Sequence, residues 1–292
     1  MPDLAITPLE ELTALAVRGT DAIAFLQGQL SQDMDLLEQH GAMLAGLHNP
    51  QGRCLALLRL FYLGSDQVLL VLPAEITDSV RTHLNRYVLR SRVRLADASG
   101  SWRIYGLTGP DAQAAASTRL HLPLDRAGFR QLILAPRGET LPQGHTESSA
   151  EWQIENIEAG LPEILSGTSG EFVAQMLNLD AIGAISFEKG CYTGQEIIAR
   201  AHFRGQVKRR MQLFHTDSEA PLSPADRVLL GDGRRAQVVL AGAINDGGQE
   251  FLAVTTLPGT ARSEEAAPDT GDTAALRRLQ SMQIPLPYEL PA

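Results

Sequence analysis

The chain has 292 residues, 44% of them hydrophobic and 20% charged, with a formal net charge of −9. That length buries sizeable apolar cores without staples, and the composition excludes a disordered tail. Two cysteines, Cys54 and Cys191, cannot build a four-thiolate cage for zinc or an iron–sulfur cluster, nor a disulfide framework, so no metal centre is expected.

Three acidic residues precede the first basic one, Arg18, and no basic start leads into an apolar core. No secretory leader or membrane segment is therefore expected, and the reading is a cytoplasmic protein. Thr20 or Asp21 caps a predicted helix whose apolar side carries Ala22, Ile23, Phe25, Leu26 and Leu30, ending near Asp33. "MLAGLHNPQGRCLALLRLFYLGSDQVLLVLP" predicts three strands joined at "NPQG" and "GSDQ", a β-meander. Ile76, Val80, Leu84 and Tyr87 recur at spacings of three and four and predict an amphipathic helix over 74–90. Strands are then expected at "RVRLADAS", "WRIYGLTGP" and "FRQLILAP", with a short helix in "DAQAAASTRL".

A helix is expected over 148–159, and a further helical run over "EFVAQMLNLDAIGAI". Past Gly205 the texture becomes short β segments with Gly, Asp and Asn turns, as in a small barrel or sandwich. "RSEEAAPDTGDTAA" (262–275) reads as a mobile loop. Two parts follow: an α+β part over 1–205 and a β domain with a mobile tail over 206–292.

The acidic balance argues against a broad nucleic-acid surface, but 79–96 and 197–216 each hold five basic residues and no acid. A solvated face and an anion-binding role both remain open for these runs.

"KGCYTGQEIIAR" (189–200) carries the densest chemistry. Thr193 and Glu196 have the spacing of a capping box, which starts a helix two residues after Cys191. The helix dipole, with Lys189 nearby, would lower the thiol's pKa. A capped helix beside an inert, buried cysteine is the competing reading. His202 lies eleven positions on, but one His and one Cys without an orienting third group make a weak nucleophile signature. Cys54, in an apolar run, reads as a strand residue.

Together with "WQIENIEAGLPEI", "AISFEKG", "GTDAIAFLQGQLSQD" and "NPQGR", the motif resembles the YgfZ-type folate-binding proteins, relatives of the glycine-cleavage T-protein, an aminomethyltransferase. The likeness covers roughly residues 10–260. It implies an aminomethyltransferase-like α+β fold with two ferredoxin-like, interleaved folate-binding domains and a C-terminal small β-barrel. It implies tetrahydrofolate or another reduced folate as ligand, and a role in assembling or repairing iron–sulfur clusters of client enzymes, including tRNA-modifying ones.

By the same resemblance Glu158 of "IEAG" would hold the pterin and Trp152 would stack on it. Lys189, Tyr192 and Arg200 of the motif are further candidate ligand residues, and Cys191 the functional thiol. The expected partners are iron–sulfur client enzymes or cluster carriers, with no direct nucleic acid and no membrane, and the expected state is a monomer. T-proteins carry a catalytic aspartate in a turn matching "PQGRCLALLRLF", yet Gly41–Gly64 holds no Asp or Glu. Aminomethyl transfer, the alternative function, would therefore lack its carboxylate there. A non-enzymatic scaffold is the third reading.

Overall fold

The computed structural model describes residues 4–205, 207–258 and 276–291. The segment expected to be mobile, 262–275, lies outside the described residues.

Strand β1 (Ala5–Pro8) leaves directly for a distant sheet, while β2 (Leu12–Arg18) opens the first α+β unit. Helix α1 (Ala22–Gln27) follows, then α2 (Leu37–His40), the meander β3 (Ala42–His48), β4 (Cys54–Gly64) and β5 (Gln67–Pro73), helix α3 (Thr77–Val88), and β6 (Arg94–Asp97). These five strands form an antiparallel sheet in the order β3-β4-β5-β2-β6. The meander thus forms as its turn residues predict. Period-two alternation divides β4: Ala56, Leu58 and Leu60 join Leu26, Val80 and Leu84 in one core, while Leu57 and Phe61 face the rest of the molecule, and a register shift between Ala56 and Cys54 turns Cys54 to that side too.

Helix α1 is shorter than expected. It ends at Gln27 before Gly28, and a separate 3-10 turn occupies Met34–Leu36. The Asp21 carboxylate does not cap it but binds the Arg92 main-chain N–H at 2.8 Å and its guanidinium at 3.1 Å.

The second sheet is built from β7 (Trp102–Thr108), β8 (Leu120–Pro123), β9 (Arg130–Pro136) and β10 (His145–Thr146), with α4 (Ala112–Ala116) on one face. Its order is β10-β1-β7-β9-β8, so the N-terminal strand lies inside a sheet otherwise made about 100 residues later. Helix α5 (Ser149–Glu158) starts with a complete capping box between Ser148 and Glu151.

The run expected to be helical over 171–185 is mostly irregular, with one 3-10 turn at Ala174–Leu177. Asn178 (φ 57°) and Gly183 (φ +73°) take left-handed backbone angles that an α-helix cannot contain. Apolar spacing there reflects burial from several sides, because Phe172, Leu177 and Leu179 all enter a shared core.

Helix α6 (Gln195–Phe203) leads to β11 (Arg209–Thr216), β12 (Arg227–Leu229), β13 (Arg235–Ala243), β14 (Gln249–Thr256), β15 (Arg277–Arg278) and β16 (Ser281–Ile284). They make a curled six-stranded sheet, a half-barrel ordered β15-β12-β13-β14-β11-β16. Its concave core holds Phe214, Val238 and Phe251, while Met211, Leu213 and Leu252 turn to the common core with Ile157, Tyr192 and Ile198. The architecture is α+β, as expected. No helix among the described residues is long and apolar enough to cross a membrane.

Candidate functional site

The loop 183–194 is fastened to the segment that follows α1. The Lys189 ammonium donates to the carbonyls of Gln27 (2.7 Å), Leu30 (2.7 Å) and Gln32 (2.9 Å), using all three of its protons. It also lies 5.1 Å from the Tyr192 ring centre. Burial lowers its pKa to about 8, against the opposing pull of Asp33 and Asp35. Around it Ser31 Oγ donates to Ala184 O, the Ser186 N–H to Ser31 O, the Thr193 N–H to Gly28 O, and Gln32 Nε2 to Gly183 O.

Two expectations are corrected here. Lys189 is only 8% exposed and its protons are committed to main chain, so it offers nothing to a ligand or to the Cys191 thiol. Tyr192 is likewise buried, which raises its phenol pKa, and it belongs to the core.

The Thr193–Glu196 capping box is absent as well. Helix α6 begins at Gln195 with Gly194 at its N-cap in a left-handed conformation (φ +84°) and no side-chain cap. Thr193 Oγ1 instead points to Gln29 Oε1 at 3.5 Å, and the Glu196 carboxylate lies 3.8 Å from Arg200. A Cβ at Gly194 would come within 2.6 Å of Asn49 O, so close packing against the "NPQG" turn selects glycine there.

Cys191 is exposed on this loop. Cys54 is its opposite: fully buried in β4, with Sγ 3.4 Å from Ala56 O and its thiol pKa pushed up to about 12 by burial. The acid-free hairpin is closed by Asn49, whose Oδ1 accepts from the Gln51 and Arg53 N–H groups at 3.0 Å. His48, beneath Gly194, is fully buried with neither ring nitrogen bonded, and burial lowers its pKa to about 3. His202 does not approach Cys191 as a partner; it stacks on Phe187 at 3.7 Å with Phe203 edge-on. Arg200 is 69% exposed on α6.

A second group sits on α5. Trp152 is 3% exposed, with Gly106 of β7 beneath its ring and the Arg130 guanidinium 4.6 Å from its centre. The guanidinium reaches Asn156 Oδ1 (2.7 Å) and Glu155 Oε2 (3.2 Å), which also accepts from Thr108 Oγ1 (2.9 Å). The indole face expected to stack on a ligand is thus covered by Arg130. Glu158 is exposed at the end of the helix with no hydrogen bond or ion pair among the described residues. Its charge helps raise the Glu250 pKa, after burial, and opposes the effect of burial on Arg130.

The two groups share the apolar core that holds Ile157, Tyr192 and Ile198. Arg130, Glu155, Asn156 and Glu250 were not identified from the sequence, since an arginine or glutamate in a strand or helix has no local signature. The basic run 197–216 proves mixed: Arg210 is buried in a bidentate pair with Asp180, both bonds 2.9 Å. Among the described residues no cluster of three His, Cys, Asp or Glu side chains is placed to hold a metal ion.

Two α+β units and a curled β sheet around a common core define an aminomethyltransferase-like fold. The structure superposes on the glycine cleavage system aminomethyltransferase T of Bartonella henselae with a TM-score of 0.68, over 87% of this chain and 78% of that one, at 18% identity. By sequence the chain belongs to the YgfZ family. It is 32% identical to the tRNA-modifying protein YgfZ of Klebsiella pneumoniae, over 98% of this chain and 94% of that protein. The Escherichia coli protein of that name is 30% identical over the same shares. A Haemophilus influenzae protein with no described role is 34% identical over 84% of this chain. No model of a known protein family matches the chain.

Proposed function

We propose that the protein binds tetrahydrofolate and serves the assembly or repair of iron–sulfur clusters in client enzymes, including tRNA-modifying ones, with Cys191 as its reactive group. The observation that carries the reading is Glu158, an exposed carboxylate left without a partner at the end of α5. A pterin presents an amino group and a ring N–H side by side, and one carboxylate accepts both. Glu250 stands in the same electrostatic neighbourhood and is the natural second acceptor. These carboxylates fit the ligand; Trp152 would add a stacking face only if Arg130 moved aside. Relatives named as tRNA-modifying proteins support a link to tRNA modification. The hairpin 49–53, closed by Asn49 and free of acids, disfavours aminomethyl transfer.

Calorimetry with reduced folates, mono- and polyglutamylated, tests the reading. The unaltered protein is expected to bind, and Glu158→Gln to weaken binding by about 1–3 kcal/mol. No heat with any reduced folate would reject it. Steady methylene-tetrahydrofolate formation from an aminomethyl-lipoyl carrier would favour the transferase instead.

A further inference from the structure

The motifs "GTDAIAFLQGQLSQD" and "KGCYTGQE" stand more than 150 residues apart, and the structure joins them at one nitrogen atom. Three carbonyls, from Gln27 at the end of α1 and from Leu30 and Gln32 beyond it, converge on Lys189 Nζ. Of these the Gln27 carbonyl ends a helix and so has no intrahelical partner. An ammonium that meets three carbonyls defines a point in space, because each bond removes one rotational freedom of the lysine tip. Two residues further on is Cys191, and two beyond that the Thr193 N–H binds Gly28 O. The thiol-bearing residue is therefore pinned on both sides to a single short segment.

We propose that Lys189 is the positioning residue of Cys191: its three-carbonyl anchor, with the Thr193 bond opposite, holds the thiol at a fixed place above the α1 end. The proposal rests on the reading of Cys191 as the functional thiol. It also explains why a fully bonded lysine stands beside an exposed cysteine. Methionine copies the lysine stem but donates nothing. Arginine keeps the charge, but its planar fork cannot bring three protons of one nitrogen to three carbonyls.

The test attaches a nitroxide to Cys191 through its thiol, Cys54 being buried, and reads label mobility by electron paramagnetic resonance. Amide exchange of Ser186 and Thr193 is followed in parallel. The unaltered protein should give a restricted spectrum. Lys189→Met and Lys189→Arg should both give a mobile one, with exchange at the two amides faster by roughly tenfold or more and exchange in β4 and β5 unchanged.

A label in Lys189→Met as restricted as in the unaltered protein overturns the proposal. Neither readout involves folate or a client enzyme. If Cys191→Ser leaves client activity intact while these results hold, the functional reading fails and the anchoring stands.

Discussion

Cys54 and Cys191 have the same side chain and opposite circumstances. Cys54 lies in β4 with its thiol proton held to about pH 12 by burial, while Cys191 is exposed on a loop. Since the thiolate is the nucleophile, iodoacetamide at pH 8 should modify Cys191 at least about 100-fold faster than Cys54 in the native protein, and both alike in denaturant. Peptide mass spectrometry over time measures both rates; equal native rates would mean that β4 is not closed over Cys54. Burial of Cys54 was legible, because the apolar run Leu55–Leu58 follows it directly. The surroundings of Lys189 were not, because its three acceptors are main-chain atoms about 160 positions earlier, and a carbonyl has no letter in the sequence.

At the scale of elements, helix starts separate the local from the long-range. Ser148 and Glu151 make the reciprocal bonds of a capping box, with the Glu151 N–H to Ser148 Oγ at 3.3 Å and the Ser148 N–H to Glu151 Oε2 at 2.8 Å. Thr193 and Glu196 have the same spacing and make neither bond. Ser148→Ala should therefore cost about 1 kcal/mol, and Thr193→Val less than about 0.5 kcal/mol, in urea midpoints converted to free energy. A larger loss for Thr193 would restore the box. The spacing misleads at 193 because Gly194 must turn left-handed to pass the Asn49 carbonyl, which delays the helix by one residue and carries the threonine away from the cap. Helix α3 was legible since its stripe serves a single core, and the meander because turn residues bound its apolar strands. The stretch 171–185 serves several neighbours at once, and its apolar spacing imitates a helix.

The whole molecule is tied across its units by buried ion pairs. Arg210 of β11 and Asp180 of the irregular stretch are 2% and 3% exposed in their side chains, and Arg59 of β4 holds Glu163 at 2.7 Å. Removing one member leaves the other as an uncompensated buried charge, so Arg210→Met should cost about 3–5 kcal/mol. The double change Arg210→Met with Asp180→Leu should recover much of that loss. Chemical denaturation of the two variants decides it; a single variant as stable as the parent would show the pair to be open to water. The short strands that begin with β11 were legible from the change of texture past Gly205. The assignment of β1 to the second sheet was not, because strand pairing partners are chosen by tertiary packing rather than by neighbouring residues.

That placement of β1 bears on how the chain is made. Residues 5–8 are made long before their partners, Tyr105–Thr108 of β7 and then His145–Thr146 of β10. At about 5–20 residues per second, the strand waits on the order of 5–20 s for β7, while the neighbouring unit, from β2 to β6, is synthesised in between. During that interval Leu4 and Ile6, which end in the core beside Leu107 and Ile133, have nothing to cover them. Until β7 and β9 follow, the nascent chain therefore carries an uncovered apolar strand, the kind of segment that chaperones shield during synthesis.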